Sequence, residues 1–209
     1  MLDVRPTVFV VDDDVSMRVS LEDLVAFAGW EARTFASARD FLSWPRAPGP
    51  SCLVLDVGLP DLNGLDLQAR IAADRSDMPI IFITGYRDIT ISVRAMKAGA
   101  AEFLTKPFDD ETLLAAMGAA IERSRLMLSE ASEVQLLRDR YASLSPRERE
   151  VMALVVTGLR NKQVGGELGI SEITVKAHRG RVTEKMKAAS LAELVRMSDR
   201  LGVSPAPRG

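Results

Sequence analysis

The chain has 209 residues, 47% of them hydrophobic, a single cysteine (Cys52) and a formal net charge of −2. This composition argues against a disulfide-stapled secreted fold and against a membrane-spanning protein, because one thiol forms no internal bridge and no apolar run approaches the ~20 residues of a membrane span. Residues 1–143 carry 15 basic and 22 acidic side chains, a balance of −7, whereas residues 144–203 carry 11 basic and seven acidic, a balance of +4. We therefore expect a soluble cytoplasmic protein whose C-terminal region meets an anionic partner.

The first half of the chain alternates short apolar runs with segments of helical period. Strands are predicted at Thr7–Val11, 31–35, 51–56, 79–84 and 101–104. Helices are predicted at 15–28, 37–44, 65–73, 88–98 and from 110 onward, with Ser37 and Asp88 as caps. Buried strands alternating with helices predict an α/β domain built on a doubly wound, five-stranded parallel sheet.

The second half is helical by pattern. Residues 123–142 are charged and contain few apolar positions, so a plain helical linker is favoured over a short coiled coil. Helices are predicted after Ser145, at 161–168, from Ser171 to 188 and at 190–201. We therefore expect a first domain at 1–122, a linker at 123–142, an all-α domain at 143–203 and a disordered tail at 204–209.

Four strands of the first domain end in polar side chains, which are Asp12-Asp13, Asp56, Thr84 and Lys106. Because parallel strands end at one edge of a sheet, these side chains are expected to converge there. Three carboxylates repel one another unless a divalent cation joins them, and oxygen ligands suit Mg²⁺. Asp56 is then placed as a nucleophile for a phosphoryl group, which Lys106 neutralises and to which the Thr84 hydroxyl donates a hydrogen bond.

This constellation, with Leu55-Asp56-Val57-Gly58-Leu59-Pro60, Thr84-Gly85 and Lys106-Pro107-Phe108, resembles the flavodoxin-like receiver domain of two-component response regulators across residues 7–122. The resemblance implies that Asp56 accepts the phosphoryl group from a sensor histidine kinase. It implies Mg²⁺ ligands at Asp12, Asp13, Asp56 and the carbonyl of Gly58. It also implies phosphoryl contact by Lys106, a cis Lys106-Pro107 bond and a switch aromatic at Phe103. Tyr86-Arg87 departs from the family pattern after Thr84-Gly85, which puts the phosphate-loop mobility in doubt.

Phosphorylation would act as a switch, because it adds roughly two negative charges and strong acceptor oxygens. Thr84 would move toward a phosphoryl oxygen and leave space for Phe103. The face formed by helix 88–98 and strand 101–104 would then change shape, and we expect the protein to dimerise through it. Asp14 is expected to cap the helix that follows it.

The basic region resembles a LuxR-type helix-turn-helix domain of the NarL/FixJ group, on the motifs Gly158-Leu159-x-Asn161-Lys162 and Thr174-Val175-Lys176-x-His178. The resemblance implies that residues 172–188 read DNA and that the preceding helix braces on phosphates. The DNA contacts expected from it are Asn161, Lys162, Thr174, Lys176, His178 and Arg179. Val175 and Ile173 are expected in the core. Gly165, Gly166 and Gly180 depart from good helix formers, and Gly180 offers no side chain for base contact.

The sequence thus predicts a bacterial DNA-binding regulator that is not an enzyme beyond its own phosphorylation and dephosphorylation. Its expected partners are a sensor histidine kinase, promoter DNA and a second copy of the chain, with RNA polymerase as a further one. Two alternatives stay open. One is a Mg²⁺ phosphohydrolase with Asp56 as nucleophile, and the other is a DNA binder that ignores phosphate and uses its first domain only to dimerise.

Overall fold

The structure, a computed structural model, describes residues 4–46, 48–85 and 89–203. The predicted cap Asp88, the departure at Tyr86-Arg87 and the tail 204–209 lie outside the described residues. Among the described helices, none combines the length and the apolarity needed to cross a membrane.

Five strands form among the described residues: β1 Thr7–Val11, β2 Glu31–Phe35, β3 Ser51–Asp56, β4 Ile80–Thr84 and β5 Glu102–Thr105. They make one parallel sheet, as predicted, and the structure gives its strand order as β2-β1-β3-β4-β5. β1, β3 and β4 are buried along their whole length, which explains their uninterrupted apolar sequences. The strand order reverses between β1 and β3, so the crevice for a ligand lies beyond the carboxyl ends of these two strands.

Helices cover both faces of this sheet. They are α1 Val15–Phe27, α2 Ala38–Ser43, α3 Gly64–Ile71, α4 Ile89–Lys97 and the start of α5 at Asp110. One core contains side chains of α2, α3 and α4, and the other contains side chains of α1 and α5. Cys52 is buried in the second core, where burial raises the pKa of its thiol to about 12, so it packs as a small apolar side chain.

Helix α5 runs without interruption over Asp110–Ala142, a length of 33 residues. It crosses from a compact unit at residues 1–129 into a second one at residues 130–209. Leu126 is exposed, whereas Leu137 and Tyr141 pack into the core of the second unit. The last turns of the segment predicted as a linker therefore contribute to the C-terminal core.

Within residues 130–203 the second unit contains four further helices, α6 Pro146–Val155, α7 Asn161–Leu168, α8 Glu172–Met186 and α9 Leu191–Leu201. Ser145 and Glu148 form a capping box at α6, and Ser171 and Ser190 cap α8 and α9. α8 ends at Met186 rather than at the predicted 188, because Lys187 adopts the left-handed conformation with φ of 56°.

One core prediction in this unit is wrong. Val175 is fully buried, as expected, but Ile173 exposes 83% of its surface. The two residues lie two positions apart on α8, which places them about 200° apart around a helix that advances ~100° per residue. They therefore cannot share the same buried face.

Candidate functional site

The polar strand ends of the first unit meet at one edge of the sheet. The Nζ of Lys106 lies 2.8 Å from Oδ2 of Asp12 and 3.6 Å from Oδ1 of Asp56. Asp12 and Asp56 are buried, and Lys106 is partly so. Three residues that lie far apart in the chain thus form one charged cluster in a site largely shielded from water.

A second feature of this cluster is a group of carboxylates that fits a metal ion. Asp12, Asp13 and Asp56 each offer an oxygen, and these oxygens lie within 4.8 Å of one another. Asp13 is exposed, so the group opens to solvent on its side. An all-oxygen donor set with an open side fits Mg²⁺, which keeps several of its waters.

The surroundings of the Asp56 carboxyl group shift its pKa in opposite directions. Burial raises its pKa above the usual value, and the negative charges of Asp12 and Asp13 add to that rise. The Lys106 ammonium and the backbone N–H of Gly58 act in the opposite direction without cancelling it. A cation or an added positive group near Asp56 would therefore be favoured, because it relieves both burial and like-charge repulsion.

The loop after β1 is fixed by its own hydrogen bonds. Asp14 caps α1 by accepting from the backbone N–H of Ser16 at 2.8 Å, as predicted. Arg18 donates to the carbonyl oxygens of Asp12 and Asp13 at 2.7 and 2.9 Å. These bonds hold the two acidic side chains at the mouth of the crevice.

The loop after β3 is fixed by close packing. A Cβ at Gly64 would lie 2.6 Å from the carbonyl oxygen of Asp56, so only glycine allows this approach. Asp61 accepts from the backbone N–H groups of Ala38 and Arg39 at 3.2 and 2.9 Å, which ties the loop to the start of α2. The segment that carries Asp56 and Gly58 is thereby anchored at both ends.

The remaining predicted residues of this site lie on β4 and β5. Thr84 is buried, and its carbonyl accepts from the backbone N–H of Lys106 at 2.7 Å. Phe103 is half-buried with its ring centroid 6.2 Å from that of Phe82. The Lys106–Pro107 bond is cis, as the resemblance implied.

The residues predicted to contact DNA divide into two groups. Lys162, Thr174 and Lys176 are exposed. Asn161 and Arg179 are half-buried and bonded to each other, since the Arg179 guanidinium donates to Oδ1 of Asn161 at 2.6 Å. This bond joins the start of α7 to α8.

His178 is half-buried beside these residues on α8. Its Nδ1 is buried and has no hydrogen-bond partner within the part of the chain that the structure describes. The opposite ring nitrogen, Nε2, is therefore the one left for an external contact.

The motif did not indicate two exposed positions on α8, Ile173 and Ala177. Together with Gly180 they lie on the side of the helix opposite the buried Val175 and Val182. Helical phase carries this information, because a buried stripe at 175, 182 and 186 places 173, 177 and 180 on the other side.

Two family models match the chain. The response regulator receiver domain matches residues 8–118, and the luxR family of bacterial regulatory proteins matches residues 142–198. Nodulation protein W of Bradyrhizobium diazoefficiens is 54% identical over 96% of this chain and 88% of its own length. The transcriptional regulatory protein FixJ of the same organism is 42% identical over 94% of this chain and 96% of its own.

The solved structures agree with these relatives. The response regulator StyR is 44% identical, superposes with a TM-score of 0.82, and is matched over 94% of this chain and 100% of StyR. The receiver and luxR matches lie on the two units that the fold separates. The chain therefore belongs to the two-component response regulators of the NarL/FixJ group and is a transcriptional regulator with a receiver domain and a LuxR-type DNA-binding domain.

Proposed function

We propose that Asp56 is the phospho-acceptor of this regulator and that its phosphorylation controls DNA binding. The observation that carries the proposal is the convergence of Lys106 on Asp12 and Asp56 at the carboxyl edge of the sheet. A sensor histidine kinase would donate the phosphoryl group. An oxygen of Asp56 forms the new bond to phosphorus while the P–N bond of the kinase phosphohistidine breaks, and the imidazole nitrogen keeps the electron pair.

The proposal assigns a role to each side chain of the cluster. Asp12, Asp13, Asp56 and the carbonyl of Gly58 would hold Mg²⁺. The bound ion supplies positive charge that neutralises the phosphoryl oxygens. Lys106 adds a second positive charge, and it can serve the phosphoryl group because phosphorylation converts the Asp56 carboxylate into an acyl phosphate, whose negative charge lies on the phosphoryl oxygens.

The switch couples this site to the α4–β5 face. Thr84 would donate its hydroxyl to a phosphoryl oxygen, and Phe103 would move into the space that Thr84 leaves. Exposed apolar side chains on α4 support dimerisation through this face: Ile89, Val93 and Met96. Phosphorylation shifts the population between the two conformations only to the extent that the phosphoryl group interacts more favourably with one of them.

The C-terminal domain would bind promoter DNA as part of a dimer on paired half-sites. Lys162 would brace α7 on phosphates, and Thr174, Lys176 and His178 of α8 would lie in or beside the major groove. Asn161 and Arg179, which are bonded to each other, would support this interface by holding α7 against α8. α9 would add a second dimer contact, and RNA polymerase would be a further partner at the promoter. This proposal places the protein in the cytoplasm and divides the chain into 1–122, 123–142 and 143–203.

The test measures DNA retention before and after phosphoryl transfer. The full-length chain is treated with acetyl phosphate and Mg²⁺, mixed with genomic DNA fragments at a stated salt concentration, and the retained fragments are sequenced. We expect the phosphorylated wild-type chain to retain a defined set of fragments. The Asp56→Asn chain, and the wild-type chain in the presence of EDTA, should neither take up phosphate nor retain this set.

Three outcomes would contradict the proposal. Unaltered phosphate uptake by Asp56→Asn would remove the acceptor assignment. Equal retention with and without phosphate would favour a DNA binder that ignores phosphorylation. Sustained turnover of a small phosphoester would favour a phosphohydrolase.

A further inference from the structure

Helix α8 presents an exposed face whose composition the helix itself does not explain. We call the residues Ile173, Lys176, Ala177 and Gly180 the reading face, and all four are exposed. They lie at spacings of three and four residues, so they are neighbours on one side of the helix. The opposite side is fixed in the core, which orients the reading face away from the domain.

Ile173 is the first unusual member. With 83% of its surface exposed, it is the most exposed of the large apolar side chains found among the described residues of the second unit. It lies in the first turn, where Ser171 already caps the helix. Neither packing nor capping in this domain therefore accounts for an isoleucine at this position.

Gly180 is the second. It lies in the middle of α8, and a Cβ built there would meet nothing within 4 Å. Glycine in a helix interior is less favourable than alanine, and here no neighbouring atom requires it. Together with Ala177, it leaves the helix backbone bare, so a large flat partner can approach it closely.

The charge around this face indicates which partner fits. Lys176 is the cation of the reading face, and residues 144–203 carry a net charge of +4. The partner must therefore accept both a cation and an exposed apolar side chain. Duplex DNA does so, because its phosphates attract cations and its major groove displays one apolar group, the C5-methyl of thymine.

We propose that Ile173 contacts a thymine methyl in each half-site and that Ala177 and Gly180 let α8 seat closely in the major groove. Sequence preference then comes in part from an apolar contact and from a close fit, and Lys176 supplies the polar contact. This inference rests on the proposed DNA-binding function and specifies which side chains of α8 set its preference.

The experiment first obtains a binding site. The phosphorylated full-length chain selects duplexes from a random pool at fixed salt, and affinity is then measured on the selected site with thymine or with deoxyuridine, which lacks only the methyl group. If no duplex is selected, the proposed DNA-binding function fails, and that result is distinct from any result on the methyl group.

The variants are chosen to keep the fold. Ile173→Ser has nearly the same helix propensity as the parent, and Ile173→Val keeps a branched apolar side chain. We expect deoxyuridine to weaken binding by the wild-type chain about fourfold per half-site, the effect of losing one methyl-sized apolar contact. We expect Ile173→Ser to bind both duplexes equally and Ile173→Val to retain part of the difference. An equal thymine preference in wild type and Ile173→Ser would overturn the contact, as would the lack of any preference in wild type.

Gly180→Ala tests the close fit separately. The added methyl has room in the free domain, so thermal stability should stay unchanged or rise, while DNA affinity falls by roughly fivefold or more through overpacking against the groove. Gly118→Ala is the matched control, since Gly118 lies within α5 and its Cβ would make only an ordinary 3.9 Å contact with Trp30. Unchanged affinity of Gly180→Ala would overturn this part of the inference.

Discussion

Two buried carboxylates, one in each unit, have a lysine as partner and yet differ in character. Asp56 of the receiver lies 3.6 Å from Lys106, and burial together with Asp12 and Asp13 raises its pKa. Glu148 of the DNA-binding domain accepts from Lys185 at 2.7 Å and from the backbone N–H of Ser145 at 2.9 Å. These two hydrogen bonds, that of Lys185 foremost, lower the pKa of Glu148 despite its burial.

The difference separates a reactive group from a structural one. The carboxylate of Glu148 already accepts hydrogen bonds from Lys185 and Ser145 of its own domain. Its charge therefore contributes to stability, and it requires no external ligand. Asp56 shares its lysine with Asp12 and has other acids beside it, so its charge is incompletely balanced and a bound cation would stabilise it. Substitution should accordingly affect chemistry at Asp56 and stability at Glu148.

The largest effect is expected at Asp56. Asp56→Asn should lower phosphoryl uptake by more than ~100-fold at every Mg²⁺ concentration, because it removes the nucleophile. The measurement is acid-labile, hydroxylamine-sensitive phosphate on the full-length chain after treatment with acetyl phosphate.

Asp13→Asn is the matched control for that experiment. Asp13 is exposed and offers only one of the metal-ligand oxygens, so uptake should weaken and recover as Mg²⁺ is raised. A failure of Asp13→Asn to recover, or a recovery of Asp56→Asn, would remove the distinction between nucleophile and ligand.

At Glu148 the expected effect is on stability. Glu148→Gln keeps the acceptor of the capping box but removes the charge that meets Lys185, and it should lower the free energy of unfolding of the domain by about 1–3 kcal/mol at neutral pH. Hydrogen exchange of α6 and α8 measures this free energy. Trp30 and Trp44 report on the receiver, whose unfolding should be unchanged.

The pH dependence gives the sign of the same effect. The pKa of Glu148 is lowered on folding, so its contribution is present above the unfolded pKa of ~4.3 and is lost as pH falls through the lower folded value. The wild-type domain should therefore lose more stability than Glu148→Gln over that acidic range. Equal losses would show that the Lys185 bond contributes nothing.

Much of the receiver could be predicted because strand order and strand ends fix where side chains lie. Asp12, Asp56 and Lys106 follow or end apolar strands, and parallel topology leaves them few places other than one edge. The exposed face of α8 was harder, because a motif contains both contacts and scaffold residues. Arg179 reads as a DNA contact but is bonded to Asn161, while Ile173 reads as core but is exposed.

Alanine substitution at the two adjacent glycines of α7 should change the stability of the domain in opposite directions. A Cβ at Gly165 would lie 2.7 Å from the carbonyl oxygen of Ile170, so Gly165→Ala must displace the backbone of the turn before α8 and should cost about 1–3 kcal/mol. At Gly166 a Cβ would meet nothing within 4 Å, so Gly166→Ala should stabilise the domain by about 0.5–1 kcal/mol. Thermal unfolding of both variants checks the signs, and destabilisation by both would contradict this account of the turn.

The smallest effect concerns the bond between α7 and α8. A double-mutant cycle of Asn161→Ala and Arg179→Met should give a coupling of about 0.5–1.5 kcal/mol in the free energy of unfolding, because each single change already removes the 2.6 Å bond. The same cycle measured on DNA affinity should be non-additive if the pair acts by holding the two helices together.

Lys176 serves as the comparison, because it is an exposed cation on the same helix. Lys176→Met should reduce the salt slope of DNA binding by about one, the signature of a direct phosphate contact, or change the base preference if Lys176 reads a base edge. Additive losses of DNA affinity in the cycle, each with a reduced salt slope, would show that Asn161 and Arg179 contact the duplex independently, and the division between contact and scaffold residues on α8 would have to be redrawn.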